Sequence, residues 1–155
     1  MSAQTTASQL ASGVAAAALD KGLTVGAAES LTSGAVCSAL GAAPQASDWF
    51  RGGVVAYASA VKFDVLEVPE GPVISRTAAL AMAHGAARLL RADVVVAVTG
   101  AGGPSPQDGQ QPGTVWFAVV APNGERTEER LFPGGPEEVV HAATQRALEL
   151  LAGVV

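Results

Sequence analysis

Three features of this 155-residue chain combine residue types and spacings that can do chemistry: a serine in a tight turn, a lysine five residues beyond a tyrosine, and a glycine-rich loop. Ser30 stands in Ala28-Glu29-Ser30-Leu31-Thr32-Ser33-Gly34, between a short apolar run at 23–27 and a small-residue segment at 35–40. That order reads as strand, turn, helix. A hydroxyl there lies at the carboxyl end of a strand and beside the unpaired first amides of a helix. The position suits a nucleophile or a phosphate cradle. A serine nucleophile needs a base at neutral pH. His84 and His141 both fall inside predicted helices, away from strand ends, and read as structural or surface residues. Gly-x-Ser-x-Gly is also missing at Ser30, so a Ser-His-Asp arrangement has no support.

Lys62 is the better base. It is one of two lysines, the other being Lys21, and follows Tyr57 by five positions. A lysine accepts a proton only when neutral, which requires desolvation. Val61, Phe63 and Val65 can supply it, and the Tyr57 hydroxyl can relay the proton or orient the amine. Spacing alone leaves open a plain surface lysine and an amphipathic core tyrosine.

Gly100-Ala101-Gly102-Gly103-Pro104 follows a buried apolar run and offers backbone amides to a phosphate or an oxyanion. It matches neither a Walker A loop nor a dinucleotide fingerprint, so a simple connection stays open as well. Glu29 reads as a ligand, as an acceptor for loop amides or as a solvent-facing group. Cys37, seven residues after Ser30, reads as a small core residue. With no Cys/His cluster and scattered acidic residues, no metal site and no cofactor is expected.

The elements that must position these groups follow from periodicity and punctuation. Apolar residues at helical spacing predict a helix over 8–21, capped by Ser8 and ended by Gly22. A strand over 23–28, the Ser30 turn and a helix to residue 40 come next, then a loop over 41–48. Residues 53–57 read as a strand and 61–66 as a short helix carrying Lys62. Ser75 caps a helix over 76–91 with Ala79, Met82, Ala83, Ala86, Leu89 and Leu90 inward. Residues 93–98 are almost continuously apolar, the pattern of a central strand buried on both faces. The 100–113 segment holds too much Gly and Pro for a regular element. Residues 114–120 form a strand, Asn123-Gly124 signals a hairpin, and 126–132 alternate like an exposed partner strand. A helix over 136–151 faces Val139, Ala143, Ala147 and Leu148 inward.

Alternating helices and strands with one hairpin predict an α/β fold: a three-layer α/β/α sandwich on a mixed, mostly parallel sheet. The chain reads as a single domain over 1–155. Its 49% hydrophobic and 15% charged residues suffice for a core. A net charge of −5 without basic runs argues against nucleic acid as a partner. No apolar stretch reaches the ~20 residues of a membrane span, and the first residues lack the basic region of a signal peptide. The single cysteine suits a reducing cytoplasm. Ligands of such sheets gather at the carboxyl ends of parallel strands. Ser30, Tyr57 with Lys62, and Thr99-Gly100 all fall there.

With these pieces placed, the chain resembles the C-terminal domain of the competence/damage-inducible CinA family, the nicotinamide-nucleotide amidases. The matching segments are residues 27–34, 49–53, Tyr57 with Lys62, 81–86, 97–104 and 113–116, in the family's order over about residues 8–151. The resemblance implies a mixed five-stranded sheet and hydrolysis of the carboxamide of nicotinamide mononucleotide to nicotinic acid mononucleotide and ammonia, a step of pyridine nucleotide salvage. It also implies Ser30 as nucleophile, Lys62 as base and Tyr57 as an assisting hydroxyl. Glu29, Thr32 and Ser33 in the turn, with Thr99, Gly100, Ala101, Gly102 and Gly103, would line the substrate site. The implied partner is a small-molecule nucleotide, and symmetric dimers are frequent among small α/β enzymes.

The chain departs from the family pattern at four places. Ser59 and Ala60 replace an asparagine and a glutamate, Gly134-Gly135-Pro136 replaces Gly-Asp-Arg, and Val140 replaces a helical arginine. Losing an arginine near an anionic nucleotide removes a hydrogen bond to a charged group, worth ~1.5–3 kcal/mol. Arg51, Arg126 and Arg130 are the candidates to compensate. Two further readings stay open: a nucleotide-binding module without turnover, and an amidase for a less phosphorylated carboxamide.

Overall fold

A computed structural model describes residues 4–155. The element order is α1 (Ala7–Lys21), β1 (Val25–Glu29), α2 (Ala35–Gly41), α3 (Ala46–Trp49), β2 (Phe50–Val55), α4 (Ser59–Leu66) and α5 (Arg76–Leu90). There follow β3 (Val94–Gly100), β4 (Thr114–Ala121), β5 (Gly124–Leu131) and α6 (Pro136–Val154). The five strands form one sheet in the order β2-β1-β3-β4-β5. The β2–β1 and β1–β3 pairings are parallel, the β3–β4 and β4–β5 pairings antiparallel. Four strands therefore share one direction and β4 opposes them.

The central strand is explained by its side chains. Val94, Val96 and Val98 join the core under α1, α2 and α6, while Val95 and Ala97 join the one under α5. Period-two alternation with apolar residues on both faces is what a strand covered by two helical layers requires. The three-layer sandwich expected from sequence is the architecture found, but the sheet is not mostly parallel: two pairings are parallel and two antiparallel, because β4 and β5 are joined to β3 by reversals rather than helical crossovers.

Several boundaries differ from the sequence reading, each for a local reason. Thr6, not Ser8, caps α1: its hydroxyl accepts the Gln9 amide and the Gln9 side chain accepts the Thr6 amide, a reciprocal capping box. The strand placed at 53–57 spans Phe50–Val55, leaving Tyr57 beyond its end. The 41–48 loop contains the single turn of α3, whose Trp49 is buried and donates its indole N–H to the Pro44 carbonyl at 3.0 Å. Leu89 is 50% exposed, because it lies at the end of α5 on the side away from the sheet. The hairpin turn is Pro122-Asn123, with Gly124 already paired to Ala121.

Chain crossings place the site. From β1 to β2 the chain runs over the α1/α6 side through α2, and from β2 to β3 it returns over the other side through α4 and α5. The two crossovers diverge at β1. In such sheets this divergence opens a crevice at the strands' carboxyl ends.

Candidate active site

The crevice is occupied by the Ser30 turn. The Ser33 amide donates to the Ser30 carbonyl at 3.0 Å and the Ala35 amide to the Thr32 carbonyl at 3.0 Å, two overlapping tight turns. Ser33 and Gly34 both take left-handed backbone angles, φ 51° and 101°. Gly34 accepts that conformation without steric cost; Ser33 carries the local strain. The Ala56 amide donates to the Glu29 carbonyl at 2.8 Å, which ties the end of β1 to the segment leading into Tyr57.

A cleft of about 340 Å³ opens above this turn. Ser30, Leu31, Tyr57, Gly100, Gly102 and Gly103 line it, together with the 104–107 segment. Five of the residues expected at the substrate site thus meet in one cavity: Ser30, Tyr57, Gly100, Gly102 and Gly103. Ser30 is 6% exposed and Tyr57 70%, so the serine forms part of the floor and the tyrosine stands at the rim.

The other expected residues are placed differently. Glu29 is fully buried, and its carboxylate accepts the amides of Gly34 (3.1 Å), Val36 (3.0 Å) and Cys37 (2.9 Å). With both oxygens spent on the start of α2, it positions the turn and is out of reach of a substrate. Thr99 is buried and donates its hydroxyl to the Val73 carbonyl at 2.6 Å. Ala101 is also buried, exchanging backbone hydrogen bonds with Thr114 and Gly113. The exposed Ser33 turns its hydroxyl back to the Ser30 carbonyl at 3.4 Å. Thr32 is buried, and among the described residues its Oγ1 is the one buried side-chain polar atom without a hydrogen-bond partner.

Lys62 on α4 is 2% exposed and is not among the cleft-lining residues; its ammonium nitrogen donates to the carbonyl of the rim residue Tyr57 at 3.0 Å rather than to Ser30. Burial pulls its proton affinity below the ordinary lysine value, and the charge of Asp108 pulls it part of the way back. A lowered affinity brings the neutral, proton-accepting form of a lysine closer to hand. The surface reading of Lys62 is excluded; the exposure of Tyr57 excludes a core tyrosine.

The candidate arginines lie elsewhere. Arg51, near the amino end of β2, donates its Nε to the Leu90 carbonyl at 2.9 Å, at the opposite end of the sheet from the cleft. Arg126 and Arg130 both pair with Glu128, which also holds Arg146 through two bonds of 2.7 and 2.8 Å. These contacts, the Arg146 hydrogen bond foremost, hold the Glu128 carboxyl below its usual range. The exposed His84 pairs with Glu125 at 3.0 Å, and His141 is exposed on α6. Among the described residues no group of three or more His, Cys, Asp or Glu can hold a metal ion, and no helix is long and apolar enough to cross a membrane.

Sequence reasoning passed over Val73, Ser105, Gln107 and Asp108. The Asp108-Gly109 dipeptide is a hairpin signal that could have found the last two. Gln107 and Gln110 pair as an isolated bridge around it, and Asp108 and Gly109 have φ of 51° and 72°.

Fold and cleft together define a three-layer α/β domain with a buried serine and lysine at the carboxyl ends of its parallel strands. The family profile of the CinA C-terminal domain matches residues 7–155, and the chain belongs to that family. A putative competence-damage inducible protein of Desulforamulus reducens is 38% identical over 144 residues, 87% of this chain and 35% of that protein. A CinA-like protein of Frankia casuarinae is 38% identical over 139 residues, 86% of this chain and 32% of its own length. The chain spans about a third of the length of the curated relatives it matches. Among solved structures, a competence-damaged protein (CinA) superfamily protein from Escherichia coli superposes with a TM-score of 0.93 at 32% identity, covering 99% of this chain and 94% of that one.

Proposed function

We propose that this chain hydrolyses the carboxamide of nicotinamide mononucleotide, releasing ammonia and nicotinic acid mononucleotide. The observation that carries this reading is a cleft-floor serine together with a buried lysine whose proton affinity is lowered by that burial. Both stand on segments joined by the Ala56–Glu29 hydrogen bond. The Ser30 hydroxyl attacks the amide carbon while Lys62 takes its proton, directly or through the Tyr57 hydroxyl. The tetrahedral oxyanion is held by amides of the 102–103 loop. Lys62 returns the proton to the leaving nitrogen, ammonia departs, and water hydrolyses the acyl-enzyme.

The test is ammonia release from nicotinamide mononucleotide. Ser30→Ala abolishes turnover, and Lys62→Met lowers kcat by about 10²–10⁴-fold, the range for a positioned general base. Turnover that persists in Ser30→Ala overturns the mechanism.

A second reading, an amidase for a less phosphorylated carboxamide, is favoured by one observation: no charged side chain lines the cleft among the described residues. A panel of nucleotide, nucleoside and free nicotinamide separates the two. A kcat/KM higher for the nucleoside than for the nucleotide selects the second.

A further inference from the structure

Among the described residues, one side-chain hydrogen bond fastens the tip of the loop that walls the cleft to the rest of the fold. Residues 102–107 form the wall, and immediately after them the chain reverses through the Asp108-Gly109 turn, closed by Gln107–Gln110 backbone bonds of 3.2 and 2.8 Å. From the tip of that turn the Asp108 carboxylate accepts the Val73 amide at 3.0 Å. Val73 is itself held from the other side, since its carbonyl accepts the Thr99 hydroxyl at 2.6 Å. Asp108, Val73 and Thr99 therefore link the loop tip, the segment before α5 and the end of the central strand in one chain of hydrogen bonds.

The same carboxylate is the charged group whose field reaches Lys62. The other charged side chains on α4 and on α5, packed against it, point to water: Asp64 is exposed, Glu67 pairs with Arg88 at 3.2 Å, Arg76 is exposed, and His84 pairs with Glu125. Burial and Asp108 act on Lys62 in opposite directions. An aspartate at this position has a backbone cost, a left-handed φ of 51°, which Asn and Asp tolerate better than other side chains.

We propose that Asp108 is a positioning residue of the cleft, one carboxylate that fastens the loop wall to Val73 and sets the charge balance around the Lys62 amine. The proposal rests on the reading of Lys62 as the base. The Asp108 charge raises the proton affinity of the amine and burial lowers it, so the side chain that fastens the loop wall also acts on the base.

The full chain has two lysines, so their titration can be followed directly by NMR with lysine Cε labelling, and Lys21→Arg assigns the signals. In the unaltered protein Lys62 titrates below the ordinary lysine value. Asp108→Asn keeps an acceptor for Val73 and suits the left-handed turn while removing the charge. It shifts the Lys62 midpoint further down and leaves Val73 amide exchange unchanged. Asp108→Ala shifts Lys62 in the same direction and speeds Val73 exchange roughly tenfold, the loss of about one hydrogen bond. An unchanged Lys62 midpoint in Asp108→Asn, or unchanged Val73 exchange in Asp108→Ala, overturns the proposal. In the kinetic arm, the acidic limb of kcat/KM moves to lower pH in Asp108→Asn. If the NMR shifts occur without any ammonia release, the amidase reading fails and the latch stands. If turnover is intact and the Lys62 midpoint does not move, the latch fails and the amidase reading stands.

Discussion

The Glu29 carboxylate accepts the backbone amide of Cys37 at 2.9 Å, so the last residue of β1 caps a helix that begins six positions later. Gly34, at the N-cap of α2, has no side chain to do this. A carboxylate at a helix start satisfies unpaired amides and meets the positive end of the helix dipole. The Ser30 turn is thereby clamped at both ends by one side chain.

Removing that clamp is costly. Glu29→Ala leaves three amides without their charged acceptor, and a loss of about 3–5 kcal/mol in urea unfolding is expected. Glu29→Gln, which accepts through one oxygen, loses less. A cost below about 1 kcal/mol for the alanine variant refutes the capping role.

Lys62 gives stability a pH dependence of definite sign. Its folded-state affinity for a proton is lowered, first by burial, so between that lowered value and the ordinary lysine value the unfolded chain binds a proton that the folded chain does not. Stability rises with pH across that window. Lys62→Met has no such penalty, so its stability advantage over the unaltered chain is larger at pH 7 than at pH 10. Urea midpoints at the two pH values check this, and a constant difference refutes it.

Gly85 sets how closely α5 approaches α4. A Cβ built there would stand 2.3 Å from the Leu66 carbonyl oxygen, a backbone atom that cannot swing aside. Gly85→Ala should cost about 1–3 kcal/mol as an overpacking change. At this chain length that is roughly 2–12 °C in Tm. Because α4 carries Lys62, kcat should fall with it, whereas a variant of normal Tm and turnover would remove the contact from the account.

Cys37 should be inert while the protein is folded. Burial first, then the Glu29 charge and the thiol's hydrogen bond to Glu29, push its proton affinity far above the usual thiol value. Labelling by a disulfide reagent at pH 8 should be at least about 100-fold slower than in the urea-unfolded chain, since thiolate fraction falls tenfold per pKa unit. Equal rates would place the thiol in solvent.

The fold was legible where a single physical cause dominates. The apolar run at 93–98 could only be a strand covered on both faces, and Ser75 caps α5 as expected, accepting the Ala78 amide at 3.1 Å. The candidate site was legible as a set of strand ends, which brought Ser30, Tyr57 and Gly100 together. What sequence does not carry is the direction of a side chain. Glu29 and Thr99 sit beside cleft residues yet point inward, because alternate positions of a strand face opposite sides. Lys62 was readable as a candidate base, but its depth depends on α5, packed on α4 through the gap at Gly85. Asp108 escaped because a long Gly/Pro-rich segment reads as one irregular loop, while its latch partner Val73 lies 35 residues away.

The reversed direction of β4 has a consequence for how this domain can diverge. Had β4 run with its neighbours, the chain leaving β3 would have crossed to the far end of the sheet before returning. Instead, residues 101–113 depart and return at the same rim, above the serine. Such a segment can be lengthened, shortened or rewritten at a loop-closure cost that grows only slowly with length, and no strand register changes. The wall of the cleft can thus be exchanged as a cassette, while the serine turn and the helix carrying the lysine stay as they are.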